Sequence, residues 1–207
     1  MSLKLTKHII TVIKEANKLK NVDVNNSTDK SFFTRYLRPF FHIGLTLLAL
    51  YILEKGFSEK FIEFITSSLS ILVGLFITAL IFSFDKFYEQ SKSENPTSRE
   101  KLWDKQDFNY SKIYAYVTGY TIIISIFILI LIVPNTLDLY NMNFNLNELE
   151  FSLKIINRES TKLFFKASLL FIQRFLIIYY LLEITINTLF VVSSMINHMR
   201  AKIERNN

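Results

Sequence analysis

The sequence predicts an all-α membrane protein: four transmembrane helices in an antiparallel bundle, N- and C-termini cytoplasmic, with an amphipathic N-terminal helix. Three observations carry this expectation. Half of the 207 residues are hydrophobic and mean hydropathy is positive. The apolar residues are gathered into a few long blocks rather than spread in short periodic faces, which is the membrane pattern. Most of the 24 Lys and Arg residues flank those blocks on one side.

Residues 1–34 read as a cytoplasmic amphipathic helix and linker. Leu5, Ile9, Val12, Ala16 and Leu19 recur at helical spacing, with Lys4, Lys7, Lys14 and Lys18 largely opposite. Such a helix either lies on the inner membrane surface with its lysines among anionic headgroups or packs on the cytoplasmic side of its own protein. Asn21 to Ser31 is polar and reads as a linker. With the first long apolar block beginning only near Pro39, a cleaved signal peptide is not expected.

The transmembrane domain is expected over 35–196. The first span, about 35–53, starts with Arg35 and Arg38 at the headgroups and Pro39 in the first helical turn, where a missing N–H does little harm. A tight connection containing Gly56 leads to the second span, 61–84. There Glu63, Ser67, Ser70, Gly74 and Thr78 share a helical face, with Ser70 and Gly74 a small-x-x-x-small pair. The face is either a helix-packing seam, the expected reading, or a pore lining. The cytoplasmic loop 85–112 mixes acids and bases around Trp103 and is the expected docking surface for a soluble partner. The third span, 113–134, carries Tyr114, Tyr116 and Tyr120 as interface anchors and Ala115 with Gly119 as a second close-approach pair. Asn135 to Lys166 is expected on the opposite surface, followed by the fourth span, 167–196, and a cytoplasmic tail, 197–207.

Orientation follows from the basic residues. The N-terminal region, the middle loop and the C-terminal tail hold most of them, against Lys55, Lys60, Lys154, Arg158, Lys162 and Lys166 on the other side. Both termini are therefore expected in the cytoplasm, which requires an even number of spans. The net charge of +6 fits this bias and attraction to anionic lipids.

Two full charges stand inside the fourth span. Arg174 and Glu183 are nine positions apart, which at about 100° per residue puts them on opposite faces, so they cannot pair with each other. Arg174, near the outer end, is expected to form a structural ion pair with Glu63. Glu183, with Tyr179, Tyr180, Asn187 and Ser194 on or near its face, falls level with Ser70, Gly74, Thr121 and Ser125, none of them cationic. It is expected to be protonated, hydrogen-bonded or wet: a structural polar network or part of an ion or proton pathway. Polar groups on two sides of one span also point to a homo-oligomer.

Catalytic signatures are not found. His8, His42 and His198 are isolated, the four glycines fall in spans or the hairpin, and there is no Cys and no Gly-x-Ser-x-Gly. No enzyme activity, cofactor, metal or direct nucleic-acid binding is expected.

The run SLSILVGLFITALIFSFDKFYE, residues 68–89, ends in an Asp-Lys at the cytoplasmic edge. It resembles helices of small multi-span proteins from bacterial phage-defence operons, the Kiwa-type membrane subunits and retron-associated membrane effectors. The resemblance implies an oligomeric inner-membrane effector or sensor that acts with a cytoplasmic protein partner; it carries over no functional residue. Two other readings stand beside it: a small-ion channel or transporter subunit, and a non-conducting anchor for a soluble enzyme.

Overall fold

The computed structural model describes residues 2–20, 22, 38–53, 56–89, 97–136 and 158–206. The described elements are five α-helices: α1 (Ser2–Leu19), α2 (Arg38–Ile52), α3 (Glu59–Glu89), α4 (Ser98–Thr136) and α5 (Arg158–Asn206). Three of them contain stretches long and apolar enough to cross a membrane, Glu59–Ile81, Ser98–Pro134 and Phe164–Arg205, and mark the chain as a membrane protein. The stretch Pro39–Ile52 is apolar but shorter. At 1.5 Å per residue α2 measures about 22 Å, against about 30 Å of hydrocarbon. The extension back to Arg35 lies outside the described residues.

Local chemistry sets the helix ends. Gly56 follows α2 at φ 93°, a left-handed conformation that glycine adopts without Cβ strain. Its N–H donates to the Leu53 carbonyl at 2.9 Å. Ser58 then caps α3, accepting from the Phe61 N–H at 3.3 Å, with Glu59 in the first turn. At the start of α4, Thr97 and Glu100 form a reciprocal capping box: the Thr97 N–H donates to Glu100 Oε2 at 2.6 Å and the Glu100 N–H to Thr97 Oγ1 at 3.3 Å.

That cap changes the expected middle loop. Helix α3 runs to Glu89 and α4 begins at Ser98, so most of 85–112 is helix that carries the two spans outward, leaving only 90–96 outside the described residues. Strong helix formers such as Glu100, Lys101, Leu102 and Gln106 support the extension once Thr97 has nucleated it. Likewise α5 starts at Arg158 and continues through the expected tail to Asn206. Its 49 residues make about 74 Å of helix.

Helix α4 is the hub. Helices α1, α3 and α5 pack against it, while α2 packs on α5. The hairpin helices α2 and α3 thus find different partners rather than each other. Contacts of Tyr110 with His198, Phe127 with Tyr180 and Gln173 with the Leu131 carbonyl show α4 and α5 running antiparallel. The core is Ile113, Val117, Ile124, Ile128 and Ile132 of α4, Ile177, Ile178, Ile184 and Val191 of α5, and Ile65 and Leu69 of α3. Large apolar side chains such as Phe64, Ile71, Leu75, Ile130, Ile172 and Leu189 stay exposed, as a lipid-facing surface requires.

Of the two places expected for helix α1, the structure has it packed on its own protein. Its apolar face, with Ala16 and Leu19 buried, packs on α4, and Val12 Cγ1 lies 3.6 Å from where a Cβ on Gly119 would stand. Leu19 is buried with Tyr110, Ile113, Tyr114 and Val117, so α1 lies beside the beginning of the apolar run of α4. Gly119, of the expected close-approach pair, serves this contact.

A charge cluster among apolar helices

Glu183 sits near the middle of the apolar run of α5, and the α4–α5 register places it level with Ile124 and Ser125. It is not unmatched. Lys20, whose N–H closes the last turn of α1 on the Ala16 carbonyl at 3.0 Å, reaches its Nζ to Glu183 Oε1 in an ion pair. The two side chains are only 9% and 14% exposed. Sequence reasoning searched for a cation on the four spans and found none; the cation comes from α1.

His42 of α2 completes the cluster. Its Nδ1 is 3.5 Å from Glu183 Oε2 and its Nε2 is 3.0 Å from the Tyr179 carbonyl. A carbonyl oxygen only accepts, so Nε2 carries hydrogen. Nδ1 is then the ring nitrogen turned toward the carboxylate. The ring is fixed for this role by stacking on Tyr179, with centroids 4.4 Å apart. Thr46 donates to the His42 carbonyl at 2.8 Å and is itself fully buried.

Aromatic rings enclose the charges. Lys20 Nζ lies 4.2 Å from the Tyr120 ring centroid, a cation–π contact. Tyr179 and Tyr180 meet edge to face at 5.4 Å, and Phe127 does the same to Tyr180 at 5.6 Å. The cluster therefore draws on α2, α4, α5 and the end of α1.

One turn beyond Glu183, Asn187 is 1% exposed and neither atom of its amide has a hydrogen-bond partner among the described residues. Thr118 Oγ1, at a similar level of α4, is also buried without one. The neighbouring hydroxyls are satisfied by their own helix: Thr121 donates to the Val117 carbonyl and Ser125 to the Thr121 carbonyl, each at 2.8 Å. Ser194, two turns further along α5, is half-buried and takes no part in the cluster.

Two expectations fail. The Glu63–Arg174 ion pair does not form: Glu63 is exposed on α3, which packs on α4, whereas Arg174 is 2% exposed on α5. The small-polar stripe of α3 is not a seam within this chain. Glu63, Ser67, Ser70, Gly74 and Thr78 are all exposed, and a Cβ on Gly74 would meet nothing within 4 Å. The Ser70 and Thr78 hydroxyls donate back to Thr66 and Gly74 carbonyls, and α3 packs through Ile65 and Leu69 instead.

A second polar cluster ties the outward extensions together. Asp107 accepts from Arg205 at 2.9 Å and lies 3.8 Å from His198 and 3.9 Å from Lys202. Arg205 also donates to Gln106 at 2.8 Å, and His198 stacks on Tyr110 with centroids 4.0 Å apart.

Lys20, His42 and Tyr120 are the cluster members the sequence did not bring forward. Lys20 has a signal: it follows Ala16 by one turn and so lies at the edge of the apolar face. His42 has another, since it stands inside an apolar run. Among the described residues no group of His, Cys, Asp and Glu could hold a metal ion. In comparison with protein-family models, curated proteins and solved structures, the chain shows no match.

Proposed function

We propose that the chain is a homo-oligomeric, four-span protein of the bacterial inner membrane that acts as the effector or sensor of a phage-defence system, and that a cytoplasmic partner works on it by moving α1. The responsive element is the Lys20–Glu183–His42 cluster, placed on an ion or proton pathway. The observation that carries this reading is a carboxylate, an ammonium and an imidazole brought together at mid-span by three separate segments. Ionisable groups at such a depth are rare, face protein or water, and are the first candidates for ion pathways and proton relays. A buried pair adds little stability over apolar residues of the same volume, so stability alone gives no reason to keep it.

The polar side of α1 supports the oligomer. Lys14 and Lys18 are exposed on a helix that lies beside the apolar run of α4. A lysine facing hydrocarbon costs about 3 kcal/mol on insertion scales, so this face belongs against water or another subunit. A ring of subunits with α1 toward a wet axis satisfies it.

The test is ion and proton flux through the purified protein in liposomes, with and without its cytoplasmic partner. Flux that falls in both Glu183→Gln and Glu183→Ala is the expected result. Absence of flux under every condition, with a soluble protein still co-purifying, would leave the non-conducting anchor.

A further inference from the structure

The position of Lys20 says more than that an ion pair exists. Its Nζ has a carboxylate oxygen on one side and the face of an aromatic ring, Tyr120, at 4.2 Å on another. On the other oxygen of the same carboxylate stands His42, stacked on Tyr179. Carboxylate plus aromatic face is the chemistry that recognises alkylammonium ions, because the ring quadrupole and the charge act on the same cation without fixing its orientation. We propose that Glu183, His42 and Tyr120 form an intramembrane site for a small monovalent cation of the ammonium class, and that Lys20 occupies this site as a ligand tethered to α1.

Two features separate a tethered ligand from an ordinary structural pair. The first is the carrier. Lys20 does not belong to the apolar helices that build the site but follows a short amphipathic helix, held on α4 by Val12, Ala16 and Leu19 over the Cβ-free surface of Gly119. Withdrawal of α1 removes the cation and leaves the receptor intact. The second is Asn187, one turn from Glu183 and 1% exposed, with both amide atoms lacking partners among the described residues. A buried donor and acceptor left open beside the site is what a free cation needs for its remaining hydration shell, and what a lysine side chain filling the same space does not use.

The site rests on geometry and not on conduction; only its consequence rests on the function proposed above. While α1 is docked, Lys20 excludes other cations from Glu183, and a partner that withdraws α1 converts a neutralised site into one open to a mobile cation.

Chemical rescue tests this without measuring flux. In Lys20→Ala the missing atoms correspond to propylammonium. Thermal unfolding of the full chain in detergent micelles should shift downward in this variant and recover at least half of the lost Tm, saturably, on addition of propylammonium. 1-Propanol, the neutral analogue, should not restore it, and neither should propylammonium in Lys20→Ala/Glu183→Gln. Lys20→Gln, which keeps most of the packing volume, is the parallel variant and should respond to the smaller ammonium ion. No saturable recovery in either single variant, or equal recovery in the double variant or with propanol, overturns the proposal. Rescue without any flux in liposomes would retain the cation site and remove the conducting role; flux without rescue would do the reverse.

Discussion

A double-mutant cycle on Lys20 and Glu183 decides whether the cluster is energetically a unit. With the side chains 9% and 14% exposed, no large discount for solvent screening applies. Removing one member of a buried pair leaves the other charge uncompensated, at a cost of about 3–5 kcal/mol. For Lys20→Met the lost cation–π contact with Tyr120 adds about 0.5–2 kcal/mol. His42, 3.5 Å from the carboxylate, keeps a polar neighbour beside it and offsets part of this. The net expectation for Lys20→Met is about 3–4 kcal/mol of destabilisation, and for Glu183→Gln slightly less, since the Gln amide oxygen still accepts from Lys20. Lys20→Met/Glu183→Gln leaves no unpaired charge, so its loss should be about 2 kcal/mol or more smaller than the sum of the single losses. The assay is unfolding by SDS titration in mild-detergent micelles, followed by the fluorescence of Trp103, the single tryptophan. Single losses that add to the double loss within about 0.5 kcal/mol would refute the pairing.

The docking of α1 and the outward clamp give two further predictions. Gly119→Ala places a Cβ in ordinary contact with Val12 at 3.6 Å and should be tolerated, whereas Gly119→Leu should push α1 away and separate Lys20 from Glu183. Because the chain has no Cys, a single spin label introduced on α1 reports that displacement directly; unchanged label mobility in Gly119→Leu would contradict the contact. Asp107→Asn removes the carboxylate that gathers Arg205, His198 and Lys202, and should cost about 1–3 kcal/mol. It should also shift the emission of Trp103, whose ring lies 5.4 Å from the Arg205 guanidinium carbon, while leaving the Lys20–Glu183 coupling unchanged.

What was legible in the sequence is what periodicity and hydropathy encode locally. The apolar runs in α3, α4 and α5, the turn at Gly56 and the amphipathic face of α1 all follow from residue order, and each appears where that order puts it. What was not legible depends on which face meets which helix. The stripe of Ser67, Ser70, Gly74 and Thr78 has the residue types of a packing seam, yet α3 turns Ile65 and Leu69 to α4, because shape and burial favour the branched side chains at that contact. Depth matching joined Glu63 to Arg174, but equal depth does not bring two helices together, and α3 packs on the hub instead. The middle region looked like a loop because its residues are charged. Charge argues against hydrocarbon, not against helix, and the Thr97–Glu100 cap makes the difference.

The partner of Glu183 comes from α1, and one physical rule accounts for it. A carboxylate inside an apolar run demands a partner, and residue order shows no cation level with it on the four apolar runs. An amphipathic helix supplies one when its apolar face finds protein and its polar face finds water or another subunit. Gly119 supplies the surface for the first condition, and Glu183 rewards it by drawing in Lys20. The second condition falls to water or another subunit, since the lysines opposite Val12 and Ala16 are exposed. The same helix that brings Lys20 to Glu183 therefore carries an exposed lysine face on its other side, and the proposed oligomer rests on what that face meets.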